Sequence, residues 1–213
     1  IVHALLTGNT IVVKPSPFTP LSALRLAQRA QALLPRGALN MVSGGNELGR
    51  ALAEHPGVDK ITFTGSVATG KKVMASSAGT LKRVTLELGG NDAAIVLEVA
   101  EPGAIARRLF DAAFANSGQI CMAIKRLYVH ERQHAPVCDA LGHYAREARL
   151  GGGVEPGVEL GPVQNAAQYR IVQDILEDAR QRGARFHAGG HELGRAGYFI
   201  APAIVSEIAE NRR

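Results

Sequence analysis

Short apolar runs alternate with helical segments over the first ninety residues, and this alternation constrains the fold more than any other feature. The apolar runs, which are typical of buried strands, are residues 10–14, 39–42, 58–64 and 83–88. The helical segments between them are residues 21–34, 46–54 and 67–77. A strand followed by a helix and another strand is the unit of a parallel sheet with helices on its faces. This half of the chain therefore predicts an α/β fold with a parallel sheet covered on both faces.

The rhythm changes at Glu87-Leu88-Gly89-Gly90, where we predict a boundary between domains 1–89 and 90–213. In the second domain, the expected strands are a buried run at 93–97, an alternating run at 126–130, and short strands at Phe186 and Phe199–Ile200. The expected helices begin at Pro102 and near residues 133 and 165. The sequence starts at Ile1 without an initiating Met and stops at Arg213 without a closing element, so we expect a piece of a longer chain.

Composition excludes several classes of function. With 46% hydrophobic residues the chain can build a core, and it has no apolar run long enough to span a membrane. The net charge of +5 is scattered and aromatic residues are only 5%, which argues against a nucleic-acid partner. The two cysteines, Cys121 and Cys138, have neither zinc nor disulfide spacing, so we expect no metal and a reducing, cytoplasmic location.

A glycine-rich segment from Gly65 to Lys72 has the spacing of a P-loop, between a strand and a helix. The eighth position is Lys72, where a P-loop needs the hydroxyl of Ser or Thr to ligate Mg²⁺. A P-loop NTPase is therefore the weaker interpretation. A helix N-terminus that faces some phosphate fits better, and a plain strand-to-helix turn is the structural alternative.

The segment from His130 to His134 reads H-E-x-x-H, the motif of zinc hydrolases. That chemistry needs both histidines one turn apart on a continuous helix. His130 instead ends a strand-like alternation, and Pro136 follows closely, which indicates that the helix starts near here and excludes His130. A surface strand-to-helix junction is the preferred interpretation.

Cys121 stands out because small and polar residues precede it, from Asn116 to Gln119. A single cysteine is more often buried and inert than reactive, but this context favours a loop. Cys138 lies on an amphipathic helical pattern with Leu141 and Ala145, and we interpret it as a core residue.

Taken together, the chain resembles the aldehyde dehydrogenase superfamily, and the resemblance covers essentially its whole length. It rests on four collinear motifs, which are Val12-Val13-Lys14-Pro15-Ser16, Phe63-Thr64-Gly65-Ser66, Glu87-Leu88-Gly89-Gly90 and Asn116-x-Gly118-Gln119-x-Cys121. The resemblance implies a partial Rossmann-like cofactor domain at 1–89, followed by part of an α/β catalytic domain at 90–213, truncated at both ends. It also implies the oxidation of an aldehyde to a carboxylic acid with NAD or NADP.

The resemblance supplies residue roles. Cys121 would be the nucleophile and Glu87 the general base, and the presence of Glu87 favours the hydrolytic branch of the family. The cofactor-binding residues would be Lys14, Ser16, Gly45, Gly49, Thr64, Gly65, Ser66, Leu88, Gly89 and Gln168. Pro17 stands where many NAD-using members carry a Glu, so NADP stays open although NAD is slightly favoured.

The family implies a small-molecule aldehyde substrate and a homodimeric or homotetrameric parent protein. In the family the neighbours of the nucleophile line the aldehyde tunnel, so Ile120 and Met122, which flank Cys121, would favour apolar or aromatic aldehydes over charged semialdehydes. Segments that complete the family's site are absent, so we expect these 213 residues alone to be inactive. The alternative is an inactive family member or a nucleotide-binding module, in which Glu87 and Cys121 are structural.

Overall fold

Strand pairs and the helices between them form the framework of both halves of the chain. A computed structural model describes residues 1–98 and 101–208. The chain divides into two compact units, one from Ile1 to Leu88 and one from Gly89 onward. The α/β class predicted from the sequence is confirmed by the strand pairing in each unit.

The first unit follows the predicted alternation of strands and helices. Its helices are α1 (Val2–Leu6), α2 (Leu21–Ala30), α3 (Asn46–Glu54) and α4 (Val67–Ala78). Its strands are β1 (Ile11–Val13), β2 (Leu39–Met41), β3 (Lys60–Gly65) and β4 (Arg83–Leu88). β1 pairs with β2 and β3 with β4, both in parallel, so two strand pairs stand where the pattern suggested one continuous sheet.

Small and charged residues hold the helices of this unit on its strands. The buried Gly70 of α4 leaves space for Leu88, because a Cβ at Gly70 would lie 2.7 Å from the Cδ2 atom of Leu88. The buried Lys82 ammonium donates hydrogen bonds to the carbonyls of Ala53 (2.8 Å) and His55 at the end of α3. The Ala53 carbonyl in the last turn of α3 has no partner within the helix, so Lys82 satisfies an acceptor there that would otherwise be unpaired. The His55 carbonyl also accepts from the Val58 amide at 3.2 Å.

α2 is shorter than the sequence predicted. It ends at Ala30, whereas the apolar pattern extended the helix to Leu34. Residues 31–33 form turns, and Leu33 is 85% exposed. The apolar side chain that prolonged the pattern therefore makes no core contact that would hold a further helical turn in place.

The second unit contains the larger core. Its strands are β5 (Asp92–Val96), β6 (Ile124–Val129), β7 (Arg185–Ala188) and β8 (Ile204–Ser206), and its helices are α5 (Pro102–Phe114), α6 (Glu131–Glu147) and α7 (Ala166–Gln181). β5 and β6 pair in parallel, and β7 and β8 are antiparallel. The core lies where α5 and α6 pack together and is formed by Val96, Ala106, Phe110, Val137, Leu141, Ala145, Ala148, Leu160 and Ala188.

Three predictions for this unit need correction. The strand expected at Phe199–Ile200 is only a single bridge between Ile200 and Glu192, and the strand β8 lies further along the chain. The run at 93–97 is not buried on both faces, since Ile95 is 74% exposed and only one face packs on the core. α6 begins at Glu131, so Pro136 lies inside the helix, beyond its first turn.

None of the helices in the described residues is both long enough and apolar enough to cross a membrane.

Candidate functional site

In the first unit, the predicted cofactor residues lie at the carboxyl ends of parallel strands. Lys14 directly follows β1, Gly45 lies between β2 and α3, and Ser66 directly follows β3. Register pairs Thr64 with Glu87 and Gly65 with Leu88 at the ends of β3 and β4. The carboxyl ends of parallel strands are where open α/β sheets bind ligands, because helix N-termini open there.

The Lys14 side chain lies along the loop that leads into α3. Its ammonium donates to the carbonyls of Gly44 (3.1 Å) and Pro15 (3.0 Å). A Cβ at Gly49 would lie 3.5 Å from the Cε atom of Lys14, which is ordinary van der Waals contact, so the Lys14 side chain packs over the first turn of α3. Ser16 is exposed, and its hydroxyl accepts a hydrogen bond from the Phe18 amide (3.3 Å).

The turn from Gly65 into α4 is too short for a P-loop. Ser66 alone separates β3 from α4, and its hydroxyl caps the helix by accepting from the Thr69 amide at 3.2 Å. The residues up to Lys72 are therefore helical and cannot wrap a phosphate as a P-loop does. The first turn of α4 carries no acidic side chain, so its positive end suits a phosphate of a dinucleotide.

The surroundings of these residues fit a dinucleotide cofactor. A Cβ added at Gly45 or Gly89 would meet no atom within 4 Å, so the backbone of both glycines is open to close approach by a ligand. A Cβ at Gly65, in contrast, would lie 2.5 Å from the Phe63 ring. The helix N-terminus without an acidic residue is that of α4, whereas Gly45 caps α3, whose first turn carries Glu47. A pyrophosphate is therefore better placed at α4 than at α3.

In the second unit, Cys121 follows an unusual turn. Asn116 (φ 50°), Ser117 (φ 57°) and Gly118 (φ 75°) adopt the left-handed conformation in succession. This conformation is unfavourable for residues with a side chain and is held only where the surroundings enforce it. Cys121 is exposed just beyond this turn, before β6.

Side-chain hydrogen bonds anchor this turn to residues 161–164. The Ser117 hydroxyl donates to the carbonyl of Gly161 at 2.9 Å. The Gln119 amide group donates to the carbonyl of Pro162 (3.2 Å) and accepts from the Gln164 backbone amide (2.8 Å). The sequence motif identified Gln119, but the partners lie more than forty positions away and carried no signal of their own.

Lys125 makes a second set of contacts around Cys121. Its ammonium donates to the carbonyls of Ile120 (3.1 Å), Cys121 (2.9 Å) and Ala123 (2.9 Å). A Cβ at Gly90 would lie 3.2 Å from the carbonyl oxygen of Cys121, so the Gly90 backbone also borders this turn. Sequence reasoning missed Lys125, whose only signal is its position four residues after the cysteine.

The two cysteines lie in different surroundings. Cys138 is buried on α6, as its amphipathic pattern predicted. Burial raises the pKa of the Cys138 thiol, and the nearby Asp139 carboxylate adds to the shift. The buried thiol is therefore less reactive as a nucleophile than an exposed cysteine.

The H-E-x-x-H segment has no metal-site geometry. His130 is the N-cap of α6 and its Nδ1 atom accepts from the Arg132 amide, while His134 lies inside the helix with its Nε2 atom 3.8 Å from the Cys138 sulfur. Among residues 1–98 and 101–208, no group of three or more His, Cys, Asp or Glu side chains could hold a metal ion. A zinc hydrolase is therefore unsupported.

Gln168 lies in the second unit, apart in sequence from the other predicted cofactor residues. It is in the first turn of α7, which begins at Ala166. Its backbone amide donates to the Asn165 side chain at 3.0 Å, which caps the helix. The side chain of Gln168 is exposed.

Comparison with known proteins shows the same family over the whole chain. The family model described as the aldehyde dehydrogenase family matches residues 1–213. A probable aldehyde dehydrogenase from a Pseudomonas species is 46% identical over 182 residues, which are 85% of this chain and 37% of that protein.

Solved structures agree with this match. An NAD⁺ complex of an aldehyde dehydrogenase from Bacillus cereus has a TM-score of 0.94 at 38% identity, covering 98% of this chain and 43% of that one. A mutant of aldehyde dehydrogenase C from Pseudomonas syringae, in complex with NAD⁺ and octanal, has a TM-score of 0.92 at 35% identity, covering 97% and 44%. The chain thus spans less than half the length of these relatives. It has their α/β fold, and it belongs to the aldehyde dehydrogenase family.

Proposed function

We propose that the full-length protein oxidises an aldehyde to a carboxylic acid with NAD⁺ or NADP⁺. One observation carries this proposal in the structure, which is the exposed Cys121 thiol beyond three successive left-handed residues. Backbone held in that conformation is characteristic of functional sites. Membership of the aldehyde dehydrogenase family supports the same reaction.

Most of the residues that would hold the cofactor lie in the first unit, and Gly89 and Gln168 lie in the second. We assign the adenosine side to Lys14, Ser16, Gly45 and Gly49, the pyrophosphate to Thr64, Gly65 and Ser66, and the nicotinamide side to Leu88 and Gly89. Gln168 would contact the adenosine ribose. When bound, the nicotinamide supplies the hydride acceptor. Pro17 places no carboxylate that would repel a 2′-phosphate, so both cofactors are compatible and NAD is slightly favoured.

Cys121 performs the covalent chemistry in this proposal. Its sulfur, as the thiolate, adds to the carbonyl carbon of the aldehyde, so that a C–S bond forms and the electron pair of the broken C=O π bond gives a tetrahedral oxyanion. The backbone N–H of Cys121 donates a hydrogen bond to that oxyanion. Loss of hydride from the tetrahedral carbon re-forms the C=O bond and leaves a thioester on Cys121.

Glu87 completes the cycle as general base. Its carboxylate takes a proton from water as the oxygen attacks the thioester carbon. The C–S bond then breaks, the acid leaves, and the Cys121 thiolate is restored. Glu87 is exposed near the end of β4, so water can reach its carboxylate.

The aldehyde is proposed to be apolar or aromatic. Ile120 and Met122 flank the nucleophile, and Met122 is exposed beside it. An aliphatic aldehyde, octanal, is bound by the related aldehyde dehydrogenase C. We also propose that residues 1–89 bind the cofactor and residues 90–213 carry the catalysis. The full-length protein would be a homodimer or homotetramer with a cytoplasmic location.

Steady-state kinetics of the full-length protein test the reaction. We expect Cys121→Ser to abolish NAD(P)H formation and Glu87→Gln to lower kcat by at least about 10²-fold, the scale of a lost general base. Cys138→Ser is the matched control and should retain activity, because the Cys138 thiol is buried and takes no part in the proposed reaction. Turnover that survives Cys121→Ser would support the alternative of a structural cysteine.

The isolated 213-residue chain provides a second test. We propose that it does not oxidise aldehydes alone, since family segments that complete the site are not in it. NAD(P)H formation is measured at saturating cofactor with a panel of apolar aldehydes. Clear turnover by this chain would contradict the proposal.

A further inference from the structure

We propose that Lys125 is a positioning residue that fixes the backbone N–H of Cys121 as the oxyanion donor. This inference rests on the proposed function. Lys125 is exposed, yet its ammonium donates to three carbonyls of the turn, at Ile120, Cys121 and Ala123, all within 3.1 Å. An ammonium group has three donor hydrogens, so these contacts use its full capacity.

Peptide geometry connects Lys125 to the Cys121 amide. The described residues contain no cis peptide bond. In a trans peptide the C=O and N–H groups lie in one plane and point in opposite directions. Because the Ile120 carbonyl points to Lys125, the Cys121 N–H points away from it. Holding the Ile120 carbonyl in place therefore also holds the direction of the Cys121 N–H.

The Cys121 N–H is available for a ligand. Within the part of the chain that the structure describes, the amides of Ile120, Cys121 and Met122 donate to no acceptor, and the Cys121 amide is the one on the residue that carries the sulfur. An amide without an acceptor, on the residue that carries the exposed sulfur, is free to donate to an oxyanion that forms on that sulfur's substrate.

The turn at residues 120–123 needs the Lys125 ammonium because three carbonyl dipoles converge on it. One backbone hydrogen bond closes the turn, from the Ala123 amide to the Ile120 carbonyl at 3.2 Å. Without the ammonium, the remaining lone pairs would face each other or water, and the peptide planes could rotate. No carboxylate of the described residues forms an ion pair with Lys125, so its charge serves these carbonyls alone.

Two reactions of Cys121 in the full-length protein separate positioning from folding. Acylation by p-nitrophenyl acetate passes through a tetrahedral oxyanion, whereas alkylation by iodoacetamide does not. We expect Lys125→Met to slow acylation, read as the burst of p-nitrophenolate, by about 10²-fold, the scale of one lost oxyanion donor. Alkylation of Cys121, followed by peptide mass spectrometry, should change less than about twofold because it forms no oxyanion.

Two further variants and one control complete the test. Lys125→Arg keeps the charge and the donors and should acylate within a few-fold of the wild type, and Lys125→Gln should follow Lys125→Met. Lys60→Met is the control, because Lys60 is exposed at the start of β3. An equal loss in both reactions would overturn the inference, since Lys125 would then only shape access to the thiol, and unchanged acylation would overturn it as well. A wild-type Cys121 inert to both reagents would instead overturn the proposed function itself.

Discussion

The left-handed turn before Cys121 should make glycine more favourable than alanine at position 117. Ser117 has φ 57°, and its hydroxyl donates to the carbonyl of Gly161 at 2.9 Å. Ser117→Ala loses that hydrogen bond, worth about 1 kcal/mol, and keeps the strain. Ser117→Gly loses the same bond but relieves about 1–2 kcal/mol of left-handed strain. We therefore expect Ser117→Ala to destabilise by about 1 kcal/mol and Ser117→Gly to be neutral or slightly stabilising.

Ser76 provides a control of opposite sign. It lies inside α4, where its hydroxyl donates to the Lys72 carbonyl at 3.0 Å. In a helix interior, glycine is about 0.8–1.0 kcal/mol less favourable than alanine. Ser76→Gly should therefore be less stable than Ser76→Ala, the reverse of the order at Ser117.

Urea unfolding, monitored by circular dichroism, measures the four variants against the wild type. Free energies of unfolding are compared between the glycine and alanine variants of each serine, so that the cost of losing the hydroxyl is the same in both and cancels. If Ser117→Gly were as unstable as Ser117→Ala, no backbone strain would be stored at this position. That result would refute the claim that residues 116–118 are held in an unfavourable backbone conformation. The same claim would be refuted if the glycine variant were less stable than the alanine variant at both Ser117 and Ser76.

Three further outcomes follow from the structure. Lys82→Met should lower the free energy of unfolding by about 2–4 kcal/mol, because two charged hydrogen bonds are lost from a buried position; urea unfolding that changes by less than about 0.5 kcal/mol would contradict this role. Iodoacetamide should label Cys121 well before Cys138, whose buried thiol has a raised pKa and ionises only at higher pH; equal labelling rates, read by peptide mass, would count against a reactive Cys121. Burial lowers the pKa of His187 below 6.5, so the unfolded chain binds this proton first and stability should fall as pH drops below 6.5. His187→Gln should reduce that slope in urea unfolding between pH 7 and 5, and an unchanged slope would argue against His187 as its source.

Helices and strands were predictable because the spacing of apolar residues that marks them is visible within a short stretch of sequence. The pattern placed β4 at residues 83–88 and ended α3 at Glu54, as found. The pattern failed where tertiary packing determines the end of a helix. Leu33 is apolar and prolonged the predicted helix, but its side chain is exposed beyond the end of α2. The pattern also missed β8, a strand of three residues whose antiparallel partner β7 is distant in sequence.

The candidate site divides in the same way. Residues such as Glu87, Cys121 and Gln119 stand in contiguous motifs, so the sequence could nominate them, and their roles stay predictions. The contacts of Lys125 with three carbonyls depend on backbone directions that no spacing encodes. The anchoring of Ser117 to Gly161 joins residues 44 positions apart and could be found only in three dimensions.

The central claim is that Cys121 carries the acyl group and Glu87 removes it. The most direct measurement is the mass of the full-length Glu87→Gln variant, quenched in acid after one turnover with an apolar aldehyde and NAD⁺ or NADP⁺ and mapped by peptide. We predict one acyl group per chain, located on Cys121, at a level far above that of the wild type. An unmodified Cys121 peptide in a variant that still produces NAD(P)H would contradict the account.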